Sequence, residues 1–150
     1  MGLPTGSMTL MITCSLQWEI LLEAIGLCMA DGRVMVAGGY QAVNISDATV
    51  LNTVEIFDPV TMTWSEGPAF PGEGRDGLVL VGVTTGAWAG DVLLLGGHIP
   101  DSITGGDWIE SDEVARYKTA ENEWEVLDYK MKIPREHFSV VSTPYHCDED

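Results

Sequence analysis

Two short apolar runs in this chain each stop at a pair of glycines. Arg33-Val34-Met35-Val36-Ala37 leads into Gly38-Gly39, and Asp91-Val92-Leu93-Leu94-Leu95 leads into Gly96-Gly97. A short aliphatic, β-branched run bounded by glycine predicts a strand. The paired glycines predict positive φ and a close approach by a neighbouring segment. A polar loop follows each pair. Then comes an alternating strand, with Val54 and Ile56 set against Glu55 and Phe57, and Val114 to Lys118 as its counterpart. Asp58-Pro59-Val60-Thr61 and Lys118-Thr119-Ala120-Glu121-Asn122 have turn chemistry. Met62-Thr63-Trp64 and Glu123-Trp124-Glu125-Val126 therefore read as the returning strands of two hairpins. Pro68 and Pro71 close the first unit and Pro134 the second. A new apolar strand follows each, Leu78 to Val83 and Phe138 to Val141.

These landmarks recur with a period of about 60 residues. Gly38-Gly39-Tyr40 returns as Gly96-Gly97-His98, Phe57 as Tyr117, Trp64 as Trp124, and Arg75 as Arg135. In each copy the tryptophan lies seven positions after the aromatic. The repeat divides the chain into an unassigned N-terminal extension (1–23), a first blade (24–74), a second blade (75–134), the opening strand of an incomplete third (135–143) and an acidic tail (144–150). The first strand of the first blade is expected at 24–30. Trp18 to Ile25 fits a short amphipathic helix equally well.

Paired glycines, a later aromatic, and tryptophan seven residues on resemble the kelch repeat. "GRVMVAGGY…VEIFDPVTMTW" and "DVLLLGGH…VARYKTAENEW" carry the resemblance, and "IPREHFSVVS" resembles the start of a third copy. It covers roughly residues 24 to 142. It implies an all-β fold of four-stranded antiparallel propeller blades, with Trp64, Trp124, Val54 and Ile56 buried inside them. A closed propeller takes four to eight blades, so two and a fraction leave terminal faces partly uncovered. A piece of a longer protein, self-association of copies into a homo-oligomeric ring, and an open sheet stack are the three alternatives.

The resemblance also implies a non-catalytic module that binds protein partners on one face. Its loops would be Tyr40 to Asn52 and His98 to Asp112 within blades, and Gly67 to Asp76 and Asp128 to His137 between them. Arg75 and Arg135 occupy equivalent inter-blade positions. The family's arginine there meets acidic peptides, to which a planar guanidinium is suited. Pairing of these arginines with local acids such as Glu73 or Glu136 is the competing reading. Tyr40, Trp108 and His98 are further candidate contacts in the same loops, whereas Trp88 lies in the opposite connection. Two other roles associated with kelch proteins are weaker. A ubiquitin-ligase substrate receptor needs a domain larger than residues 1–23 can hold. A copper-oxidase propeller needs a metal constellation for which His98, His137 and His146 lack the spacing.

Composition narrows the rest. The chain has 150 residues, 45% hydrophobic and 20% charged, as a globular domain does. Lys and Arg number 7 against 23 Asp and Glu, a formal charge of −16. That opposes binding to nucleic acid or an anionic membrane surface and complements a basic patch on a protein partner. The uncharged stretch Gly77 to Gly90 is too short and glycine-broken to span a bilayer. Cys14, Cys28 and Cys147 form neither a disulfide framework nor a zinc pattern. Their odd number favours a reducing, cytoplasmic setting, while the Asn44-Ile45-Ser46 acceptor triplet favours secretion. No nucleophile elbow, phosphate loop or zinc-protease motif occurs. The acidic Gly105 to Glu113 stretch lacks calcium-loop spacing. No cofactor, metal site or catalytic residue is expected.

Overall fold

The computed structural model describes residues 20–22, 24–44, 47–100 and 108–140. Cys14, His146, Cys147, residues 1–17 and the tail lie outside them, as do Ile45 and Ser46 of the acceptor triplet. The described residues form thirteen strands and no helix. Strands β2 (Ile25–Cys28), β3 (Val34–Ala37), β6 (Val54–Asp58) and β7 (Thr63–Gly67) form one four-stranded sheet in that order. Strands β8 (Val79–Gly82), β9 (Val92–Leu95), β12 (Glu113–Lys118) and β13 (Glu123–Lys130) form the second. All neighbours are antiparallel. Phe57 pairs with Trp64, and Tyr117 with Trp124, so the repeat seen in sequence is a repeat of register. The uncertain first strand is real, at Ile25–Cys28. The alternative helix is not formed, because Ile20–Leu22 is extended as β1 and β2 begins at Ile25.

The core lies between the two sheets. Met35, Ala37, Val54 and Ile56 of the first face Leu94, Ala115, Tyr117 and Val92 of the second, with Phe70, Leu78 and Leu80 closing the gap. Alternation produces this: Met35 and Ala37 on β3 are buried while Val34 and Val36, which alternate with them, are half-buried. Trp124 packs edge-on against Phe70 and its Nε1–H donates to the Pro68 carbonyl at 2.9 Å. Each tryptophan also lies tilted on the paired aromatic of its own blade, Trp124 5.2 Å from Tyr117 and Trp64 5.1 Å from Phe57, yet Trp64 is 41% exposed. The expectation that both tryptophans are buried thus holds only in part: Trp124 is half-buried against the core and Trp64 is exposed. Trp124 has a preceding blade to pack on, and Trp64 has none among the described residues.

The glycine pairs join one blade to the next. Gly39 N–H donates to the Arg75 carbonyl, Arg75 N–H to Leu51, Leu51 N–H to Gly39, and Gly38 N–H to Thr53. The second pair repeats all four bonds with Gly97, Arg135, Ser111, Gly96 and Glu113. All four glycines have positive φ. A Cβ on Gly38 would stand 2.6 Å from the Arg75 carbonyl oxygen and from a Leu78 methyl. Phe138 takes the place of Leu78 against Gly96. Residues 135–138 therefore dock as the start of a third unit, although 138–140 carry no strand, there being no neighbour strand to pair with among the described residues.

Arg75 does not offer itself to a partner, contrary to expectation. It is 2% exposed. Its guanidinium donates to the Gly96 carbonyl at 3.2 Å and to Ser111 Oγ at 3.4 Å, and pairs with Glu113 rather than Glu73 or Glu136. It also lies over the Phe70 ring, 5.5 Å from the centroid. All three polar partners belong to the next blade, so the arginine is a bolt across the seam. Arg135 repeats the backbone position but is exposed, because no further blade supplies the equivalent carbonyl and acid among the described residues.

Two outcomes follow from this packing. Arg75→Ala strips a buried ion pair and leaves the Gly96 carbonyl short of a donor, and should cost about 3 kcal/mol in urea unfolding; Arg135→Ala should stay within about 0.5 kcal/mol. At the hairpin turns Met62 and Asn122 hold the same left-handed position, with φ of 58° and 56°. Asn tolerates that region and Met does not. Met62→Asn should therefore raise stability by about 0.5–1 kcal/mol in the same assay, its side chain being 72% exposed and making little packing to lose.

Candidate interaction face

The loops between second and third strands were expected as polar connections. They fold instead as small antiparallel extensions. In the first blade β4 (Tyr40–Asn44) pairs with β5 (Asp47–Val50), and β1 (Ile20–Leu22) adds to the other edge of β4. In the second, β10 (His98–Pro100) pairs with β11 (Trp108–Glu110). Each starts directly after a glycine pair and ends where Leu51 or Ser111 enters the seam, so the backbone clamps fix both bases.

The β10–β11 hairpin presents the apolar surface. Trp108 and Ile109 are 42% and 44% exposed, and Glu110 beside them is exposed too. His98 is opposite Glu110 in register and stacks on Trp108, with ring centroids 4.9 Å apart. The exposed Arg135 follows from the same base, its N–H bonded to the Ser111 carbonyl. The nearby Lys130 is held by Asp112, 2.9 Å from Nζ, and this hydrogen bond raises its pKa. Tyr40 is half-buried at the base of the other extension. Of the five residues singled out from the sequence, His98, Trp108 and Arg135 are gathered around one hairpin. Tyr40 belongs to the neighbouring one, and Arg75 lies inside the seam. Trp88 packs under the Arg116 guanidinium, 4.7 Å from its ring centroid.

Sequence reasoning missed the convergence of two residues here. Asp76 and Glu136 each follow one of the repeated arginines, and both turn toward His98. Asp76 and His98 exchange backbone hydrogen bonds in both directions, at 3.2 and 2.9 Å. His98 Nδ1 stands 3.1 Å from Glu136 Oε2 and 3.8 Å from Asp76 Oδ1. His137, with φ of 50°, donates its N–H to the Gly77 carbonyl and places Nδ1 3.3 Å from the same Glu136 oxygen. The repeat itself held the signal, an acid after each arginine. The histidine that joins them lies on a third segment, which spacing along one element does not reveal.

The kelch motif family model matches residues 24–71. The solved structure of YjhT, a kelch-type propeller, is similar at a TM-score of 0.58 and 19% identity, over 77% of this chain and 30% of that one. The chain thus spans about 30% of that structure's length, and at this identity the likeness concerns the fold. No curated protein matches the sequence. A kelch motif match over the first blade, the same register in the second, and a propeller neighbour of the same fold support a kelch-repeat chain, and its two sheets have the fold of β-propeller blades.

Proposed function

We propose that this chain is a non-catalytic protein-binding module whose contact surface is the β10–β11 hairpin with Arg135 beside it. One observation carries the reading: Trp108 and Ile109 are both exposed, at successive positions and so on opposite faces of a short hairpin whose base is held by the seam. Exposed aromatic and aliphatic neighbours on a rigid base are the material of interface hot spots, because little conformational freedom is lost on docking. Kelch repeats generally mediate protein–protein interaction, which agrees with this use. The surrounding charge selects the partner. With a net charge of −16 and Glu110 in the hairpin, the complement is an apolar segment flanked by Lys or Arg. Arg135 then takes a carboxylate or carbonyl at the rim.

The test is the affinity of a partner isolated by capture on the immobilised chain, measured by surface plasmon resonance. Trp108→Ala should weaken binding at least tenfold, the loss of one hot-spot anchor. Val60→Ala, at a fully exposed turn elsewhere, should leave it unchanged. Arg135→Ala should act mainly on the association rate and its salt dependence. A partner bound equally well by the Trp108→Ala chain would rule the hairpin out as the contact surface.

A further inference from the structure

The geometry points to a divalent transition-metal site, of the zinc type, formed by His98 Nδ1, Asp76 Oδ1 and Glu136 Oε2 at the seam beneath the β10–β11 hairpin. The three donor atoms all lie within 4.8 Å of one another. Ligand atoms bound at about 2.0–2.1 Å to a tetrahedral zinc stand about 3.3–3.4 Å apart. The His98–Glu136 and His98–Asp76 separations, 3.1 and 3.8 Å, bracket that value.

Although the side chain of Glu136 is 30% exposed, its Oε2 adds a further observation. It is shut off from solvent and accepts no hydrogen bond among the described residues, although two imidazole nitrogens stand 3.1 and 3.3 Å away. A buried carboxylate oxygen ordinarily takes a donor, since leaving it unmatched is costly. Close approach without alignment is what donors facing a common cation display. Nitrogen and oxygen donors together suit zinc and its first-row neighbours better than calcium or magnesium, which take oxygen.

The backbone holds these donors in place before any ion arrives. Asp76 and His98 are tied by their mutual backbone bonds, and His137 N–H on the Gly77 carbonyl fixes the residue next to Glu136. Trp108 covers one face of the His98 ring. The donors come from three segments: the first inter-blade link, the hairpin, and the second inter-blade link. An ion there ties all three together, with His137 bordering it and water completing the shell.

Isothermal titration of Zn2+ into the metal-free chain should give saturable one-to-one binding that survives millimolar Mg2+. His98→Gln and Glu136→Gln, checked by circular dichroism, should each weaken it at least tenfold. A second measurement needs no variant: in histidine-labelled wild-type chain, Zn2+ should shift the His98 Nδ1 resonance in nitrogen NMR. Absence of one-to-one binding, unchanged affinity in both variants, or a shift confined to His137 or His146 would overturn the site. These readouts are independent of any protein partner, so a failed hairpin test leaves them unaffected.

Discussion

The structure depends on one close approach, that of each glycine pair to the chain entering the next unit. A side chain on Gly38 or Gly96 would collide with the Arg75 or Arg135 carbonyl. Without it, four backbone hydrogen bonds form in the same pattern at both places. They satisfy polar groups that would otherwise be buried unpaired between sheets. They also set where the following strand begins, and so the angle and spacing between blades. Side-chain packing then follows from that placement. Phe70 and Leu78 fill the gap, Tyr117 and Trp124 pack against them, and Arg75 bridges to the second blade. The order matters: the apolar contacts reward an arrangement that the glycines first permit.

Stacked units of this kind gain most of their stability from neighbours, and the two outer faces respond differently to having none. On the first blade, Phe57 and Trp64 cover one another and Trp64 stays half in solvent. On the second, the position equivalent to the buried Ile56 is Arg116. It pairs with Asp91, reaches toward Glu125 and lies on Trp88. Its charge is matched within the blade and its flat guanidinium covers apolar surface. One face keeps the apolar character of an interior, and the other is dressed for water.

How legible this was varied with the range of the cause. The period, the hairpins, the turns and the glycine pairs are local patterns, and the sequence displays them directly. Asp58 illustrates this: its carboxylate accepts the Val60 N–H two residues on, as turn chemistry requires. The β4–β5 and β10–β11 extensions were harder to foresee. Their strands are short and lack clean alternation, and what stabilises them is attachment to the clamp. The role of Arg75 was hidden for a related reason. Sequence shows an arginine after a glycine-rich bend among many acids, which suits a surface contact. Its burial is decided by Gly96, Ser111 and Glu113, all contributed by the next blade. The Asp76–His98–Glu136 cluster likewise joins segments that only the fold brings together.

These features share one location, and the sharing has a physical reason. A seam between blades is where backbone is held most tightly while side chains from different segments still converge. Rigid support is what a binding hairpin needs if Trp108 is to keep one orientation, and fixed donor geometry is what an ion needs. Both come from the same bonds. Glycine-mediated approach brings Asp76 against His98, and the stacked His98 ring in turn supports Trp108. A displacement at the seam therefore reaches the exposed tryptophan through two contacts, and a ligand on Trp108 bears on the seam by the same route. Structural and recognition roles in this chain are divided by side chain while the backbone beneath them is common.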